Sequence, residues 1–142
     1  MLFFSVIFYL STIFIPLEGN NFNHGDLVLK LSKLQNKKGK ILINIFSSET
    51  GFPDDEKKSF KFWIEDPKEE IILKNIPPGN YAISLLHDED GNFKMTYNFF
   101  KFPKEGFAFS NFNASIFNLP KFEEAKFEHK KNGTVLHLKV IY

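Results

Sequence analysis

Residues 77–92 read Pro77-Pro78-Gly79-Asn80-Tyr81-Ala82-Ile83-Ser84-Leu85-Leu86-His87-Asp88-Glu89-Asp90-Gly91-Asn92. A turn, a strand and an acidic turn follow one another in this stretch. Pro77 and Pro78 fix φ and hold the chain extended, and Gly79 is expected to supply a positive φ. Tyr81, Ile83 and Leu85 then alternate with Ala82, Ser84 and Leu86, which sends one set of side chains to each face of a sheet. Tyr81 is expected to enter the core with its hydroxyl bonded to nearby backbone, as in a tyrosine corner.

The same two-residue period recurs on both sides. Leu27, Leu29 and Leu31, then Ile41, Ile43 and Ile45, and finally Leu136, Leu138 and Val140 each alternate with other residues. Shorter strands fit 60–65, 69–74 and 125–130. Polar, glycine-ended separators at 35–39 and 131–133 have hairpin chemistry. No segment carries a helical period with caps. The pattern predicts an all-β fold, an antiparallel β-sandwich of about seven strands with Greek-key, transthyretin- or immunoglobulin-like connections.

Residues 2–17 (LFFSVIFYLSTIFIPL) carry no charge and are almost entirely apolar. The run falls short of the roughly 20 residues that span a bilayer and ends at Glu18-Gly19-Asn20-Asn21. It reads as a secretory signal peptide over 1–19, followed by one domain over 20–142. An uncleaved membrane anchor is the alternative, and a buried first strand a third reading. Export implies a secreted or periplasmic protein with no transmembrane span once the leader is gone.

The chain has 142 residues, no Cys and 19 Phe, and all 18 of its basic residues are Lys. Without Cys there is no disulfide framework, so the core alone must hold the domain. Without Arg there is no bidentate clamp for a carboxylate or phosphate. The formal net charge is +1, and acids and lysines interleave, which argues against a nucleic-acid partner.

Two stretches break the strand rhythm: the acidic 47–59 and the much longer 87–122. Loops beyond roughly 12 to 15 residues are uncommon in compact domains and often functional, so 87–122 is where a site is expected. His87, Asp88, Asp90 and Asn92 are the first candidates. Asp88, Asp90 and Asn92 stand at alternate positions, as oxygen ligands do in calcium loops, so Ca²⁺ is the one cofactor considered. Phe93 and Phe99 occupy the places of the loop glycine and the bidentate Glu. A plain acidic turn is the competing reading. If the strands alternate up and down, Asp54, Asp55 and Glu56 lie at the opposite end from this turn.

Phe102, Phe107, Phe109 and Phe112 are the second set of candidates, a possible aromatic surface for a protein or glycan of the cell envelope. The competing reading has such rings closing one end of the sandwich. His87 beside Asp88 could orient a general base, but no nucleophile accompanies them.

Taken together, Gly51-Phe52-Pro53-Asp54-Asp55, Ile76 to Ala82, His87 to Asn92, Phe102 to Phe107, Phe109-Ser110-Asn111 and Pro120 to Ala125 resemble a bacterial family of exported proteins, domain of unknown function 2141. The resemblance covers 26–142 and implies a secreted or periplasmic domain of no established activity. The Pro-Pro-Gly-x-Tyr element is also similar to one in transthyretin-like and carboxypeptidase-regulatory-like sandwiches. Where the family typically has an Asp, this chain has Thr96, which removes one charged ligand from any metal loop. The expected function is a non-enzymatic binding or envelope-associated module. The alternatives are a hydrolase-type enzyme using His87 and Asp88, or a purely structural envelope protein.

Overall fold

The computed structural model describes residues 25–115 and 117–142; the expected leader over 1–19 and His24 lie outside them. Among the described residues there are eight strands: β1 (Gly25–Ser32), β2 (Lys40–Phe46), β3 (Phe60–Ile64), β4 (Glu70–Ile76), β5 (Gly79–Asp88), β6 (Gly106–Phe109), β7 (Phe127–His129) and β8 (Thr134–Lys139). One helical turn, α1 (Phe122–Ala125), precedes β7. The strands form a three-stranded sheet, β4-β1-β8, and a larger sheet, β3-β2-β5-β6, in which β7 pairs with the start of β5.

The β-sandwich expected from the alternation is therefore present, with two corrections. The β1–β8 pair is parallel, whereas the other strand pairs are antiparallel. An eighth strand, β6, lies inside 87–122, where none was expected. Its four residues are all buried, so it offers no polar alternation to read.

Between the sheets, Leu27, Leu29, Leu31, Ile41, Ile43, Ile45, Ile71, Leu73, Ile83, Leu85, Leu136, Leu138 and Val140 form one core. These are the inward positions of the period-two segments. Each fully buried aliphatic side chain contributes about 1.5–3 kcal/mol, so this layer is the main source of stability.

The larger sheet is also covered on its other face. Leu42, Asn44 and Phe46 are buried as well as Ile41, Ile43 and Ile45. Phe46 and Ala82 pack with Phe122 and Ala125, and Phe107 and Phe109 pack with Ala114. Phe52 joins these two clusters, meeting Phe46 edge-on at 5.3 Å and Phe109 and Phe122 at 6.0 Å. The segments 47–59 and 110–125 thus act as a third layer.

The tyrosine corner forms as expected: the Tyr81 hydroxyl donates to the Pro77 carbonyl at 3.0 Å. Gly79, however, does not carry the positive φ; Asn75 does, at 60°. Gly79 instead lets the chain pass close to the tyrosine: a Cβ there would come within 3.2 Å of the Tyr81 ring and hydroxyl, a tight contact. His129 on β7 bonds through Nε2 to the carbonyls of Ile76 and Gly25, at 3.1 and 3.3 Å, and so links β7 to the smaller sheet.

At Ile83 the β5 edge passes from β7 to β6, and Ser110 fills the junction. Its Oγ accepts from Ile83 N–H at 2.8 Å and donates to the Ala125 carbonyl at 2.6 Å, fully buried. Ser110→Ala leaves a buried N–H and a buried carbonyl unmatched. Chemical denaturation is expected to show a loss of about 1–3 kcal/mol; a change within experimental error would show that water replaces the hydroxyl.

Candidate functional site

β5 ends at Asp88 and β6 begins at Gly106. The chain between them must leave the sheet and return to an adjacent position, and its backbone N–H groups need partners. Two buried carboxylates at the base of the loop supply them. Asp88 accepts from the N–H of Gly91 (2.9 Å), Asn92 (3.2 Å) and Phe93 (3.0 Å). Glu105 accepts from Glu89 (2.9 Å), Asp90 (3.3 Å) and Thr96 (2.9 Å). Asx-type geometry explains the first set, because an Asp before a turn can bond the amides that follow it.

Asp90 completes the cluster. Carboxylate oxygens of Asp88, Asp90 and Glu105 all lie within 4.8 Å of one another. Asp90 accepts from Thr96 Oγ1 at 2.7 Å, and from the backbone N–H and Nδ2 of Asn92 at 3.0 and 3.1 Å. The Thr96 hydroxyl is the main reason that the Asp90 carboxyl titrates below its ordinary 3.8, helped by the Asn92 N–H, Asp88 and the charge of Lys104 against a smaller opposing effect of desolvation.

Phe93 has φ 66°, a left-handed conformation that a bulky side chain rarely takes. Its ring meets Trp63 of β3 edge-on at 5.3 Å, with Lys40 Nζ 5.5 Å from the ring centre. Those contacts offset the backbone strain and fasten the loop to the outer face of the larger sheet.

Beyond this base, residues 96–104 form a second, smaller hairpin. Tyr97 bridges to Pro103, and the Lys104 N–H donates to the Thr96 carbonyl at 2.9 Å. Asn98 caps the apex, its Oδ1 accepting from the N–H groups of Phe100 and Phe102 at 2.9 and 3.0 Å. The rings at this apex point into solvent: Phe99 is 94% exposed and Phe100 73%. Phe117, 81% exposed, lies edge-on to Phe102 at 5.7 Å.

The structure separates several residues grouped by sequence. His87 is fully buried; its Nδ1 meets the Tyr142 hydroxyl at 2.7 Å and its Nε2 the Lys38 carbonyl at 2.8 Å. Burial pushes the Tyr142 phenol above its ordinary 10.0, which keeps that hydroxyl protonated and able to donate to Nδ1. Asp88 faces the loop amides instead, so the two residues form no acid–base pair. Asn92 turns its Oδ1 to the Lys94 N–H and its Nδ2 to Asp90, so it offers the cluster a donor and not the expected oxygen ligand. Phe107 and Phe109 are core residues at 5% and 6% exposure and Phe112 is half-buried, leaving only Phe102 of the proposed aromatic surface at the apex. Asp54, Asp55 and Glu56 follow β2 at the far end, since Phe46 pairs with Ala82 while Lys40 pairs with Asp88.

Glu105 was not among the sequence candidates. Its signal was its place immediately before Gly106, yet residues 89–104 separate it from Asp88 in the chain. Asp88, Asp90 and Glu105 are the residues that could hold a hard divalent cation. Their oxygens are already engaged: Asp88 and Glu105 accept from backbone N–H groups, and Asn92 Nδ2 and Thr96 Oγ1 donate to Asp90.

Among known proteins, a family described as an uncharacterized protein conserved in bacteria, domain of unknown function 2141, matches residues 29–137. No curated protein and no solved structure matches.

Trp63 is the single Trp and touches Phe93, so its fluorescence reports on the loop base. Glu105→Gln places an amide donor against backbone donors. It is expected to cost about 2 kcal/mol in a denaturation experiment and to shift Trp63 emission to the red. Calcium and chelator are expected to give the same melting midpoint; a rise with calcium would make the cluster a cation site. For Asp90, the depressed folded value means its stabilisation is present above pH 3.8 and lost as pH falls through that lower value. Thr96→Val removes the largest cause, so the NMR titration of the Asp90 carboxyl should move upward; an unchanged titration would contradict this assignment.

Proposed function

The chain belongs to this family of uncharacterized proteins conserved in bacteria, and on that premise we propose that it is an exported, non-enzymatic binding module of the cell envelope. Its contact surface is the aromatic apex of residues 97–102 together with Phe117. The observation that carries the reading is the display of Phe99 and Phe100 on a hydrogen-bonded turn, with the exposed Phe117 beside Phe102. Large exposed apolar patches on soluble proteins commonly mark interaction sites, because otherwise they favour aggregation.

The apolar, uncharged residues 2–17 support export. Among the described residues, no helix is long and apolar enough to cross a membrane. Catalysis by His87 and Asp88 finds little support in the geometry. Both His87 ring nitrogens are engaged, and Asp88 is committed to three amides.

Retention of the purified protein on native cell envelope tests the proposal. Phe99→Ser with Phe100→Ser is expected to weaken retention by at least about tenfold, the scale of losing buried aromatic anchors. Phe60→Ser, at an exposed ring on β3, should leave it unchanged. Equal retention of all three proteins would favour a purely structural role.

A further inference from the structure

We infer that the aromatic apex docks on an anionic lipid surface, its rings entering the interface and its lysines meeting the headgroups. This rests on the binding-module reading and names the partner for the same site. Residues 93–104 contain Phe93, Met95, Tyr97, Phe99, Phe100 and Phe102, together with Lys94, Lys101 and Lys104, and no acid. All three lysines are exposed. The acids of the loop, Asp88, Glu89, Asp90 and Glu105, sit at its base, where Asp88 and Glu105 are buried and Glu89 accepts from Asn36 Nδ2 at 2.9 Å. Lys101 therefore stands among the apical rings, Lys94 and Lys104 flank the hairpin nearer its base, where the Lys104 charge also reaches Asp90, and the acidic groups lie behind them.

The shape points the same way. Small-molecule and glycan sites are concave and place polar groups among their rings. Here the two most exposed apical rings, Phe99 and Phe100, project outward from a tight turn, contact each other edge-on at 5.4 Å, and carry no polar atom. A convex apolar tip flanked by lysines suits an interface where rings sink among acyl chains while ammonium groups remain with phosphates. The Asn98 cap fixes the turn beforehand, so little conformational freedom is lost on insertion.

Vesicle co-sedimentation tests the inference, using the full chain and the chain from Asn20 onward, which carries every described strand. Vesicles of phosphatidylcholine with about 30% phosphatidylglycerol should retain the protein, less so as salt is raised, and neutral vesicles should retain it weakly. Phe99→Ser with Phe100→Ser should weaken binding about a hundredfold. Lys101→Gln, at the apex, should weaken it about fivefold, and Lys94→Gln and Lys104→Gln, nearer the base, by less. Phe60→Ser is the control, and unchanged Trp63 emission in every variant certifies the fold. Absence of binding to anionic vesicles by the chain from Asn20, or binding indifferent to the apical substitutions, overturns the inference. Apex-dependent retention on native envelope without vesicle binding would overturn the lipid assignment and leave the binding-module reading standing. Loss of both would overturn the two together.

Discussion

Two buried carboxylates, Asp88 and Glu105, convert a long connection between adjacent strands into a fixed structure. Each stands at the sheet boundary of the loop, one closing β5 and the other preceding β6, and each gathers three backbone N–H groups. An amide buried without a partner costs about 1–3 kcal/mol, and this loop has six that lack ladder partners of the sheet. Charged acceptors also bind more strongly than neutral ones. Everything outward of residue 96 hangs from this base.

Aromatic packing provides the second support. Because 47–59 and 110–125 cover the outer face of the larger sheet, Phe46, Phe52, Phe109 and Phe122 form a continuous layer of edge-on contacts. A separate ring contact, Phe93 against Trp63 of β3, fastens the loop base to the sheet. Phe is thus used for three different purposes in one segment. Phe107 and Phe109 are core, Phe93 is a fastener, and Phe99 and Phe100 are display.

That division explains what the sequence made legible and what it did not. Strands with one polar face, such as β1 and β8, could be read directly, because Leu27, Leu29, Leu31, Leu136 and Leu138 alternate with exposed residues. β6 could not be read, because both its faces are covered and Gly106-Phe107-Ala108-Phe109 lacks a polar partner for each apolar residue. Composition likewise could not separate a buried Phe from an exposed one, so the buried Phe107 and Phe109 were counted in the aromatic surface. In the acidic turn, the spacing of Asp88 and Asp90 was visible. Glu105 joins them only through the pairing of β5 with β6, a non-local fact that local spacing does not carry. The parallel β1–β8 pairing is non-local in the same way.

The remaining step connects Phe93 and Thr96. The spacing of Asp88, Asp90 and Asn92 follows a cation loop, and Phe93 adopts the left-handed conformation that such loops give to glycine. Thr96, where the resemblance expects an Asp, brings a hydroxyl donor to Asp90 and removes one negative charge from a cluster that already holds three carboxylates. The base consequently closes on donors of its own chain: amides, the Asn92 side chain and this hydroxyl. These hydrogen bonds within the chain hold the loop beneath its apex. Tolerating Phe at a glycine position then gains a ring contact with Trp63 that glycine could not make. Both residues depart from the cation-loop pattern, and both departures stiffen the support beneath Phe99 and Phe100.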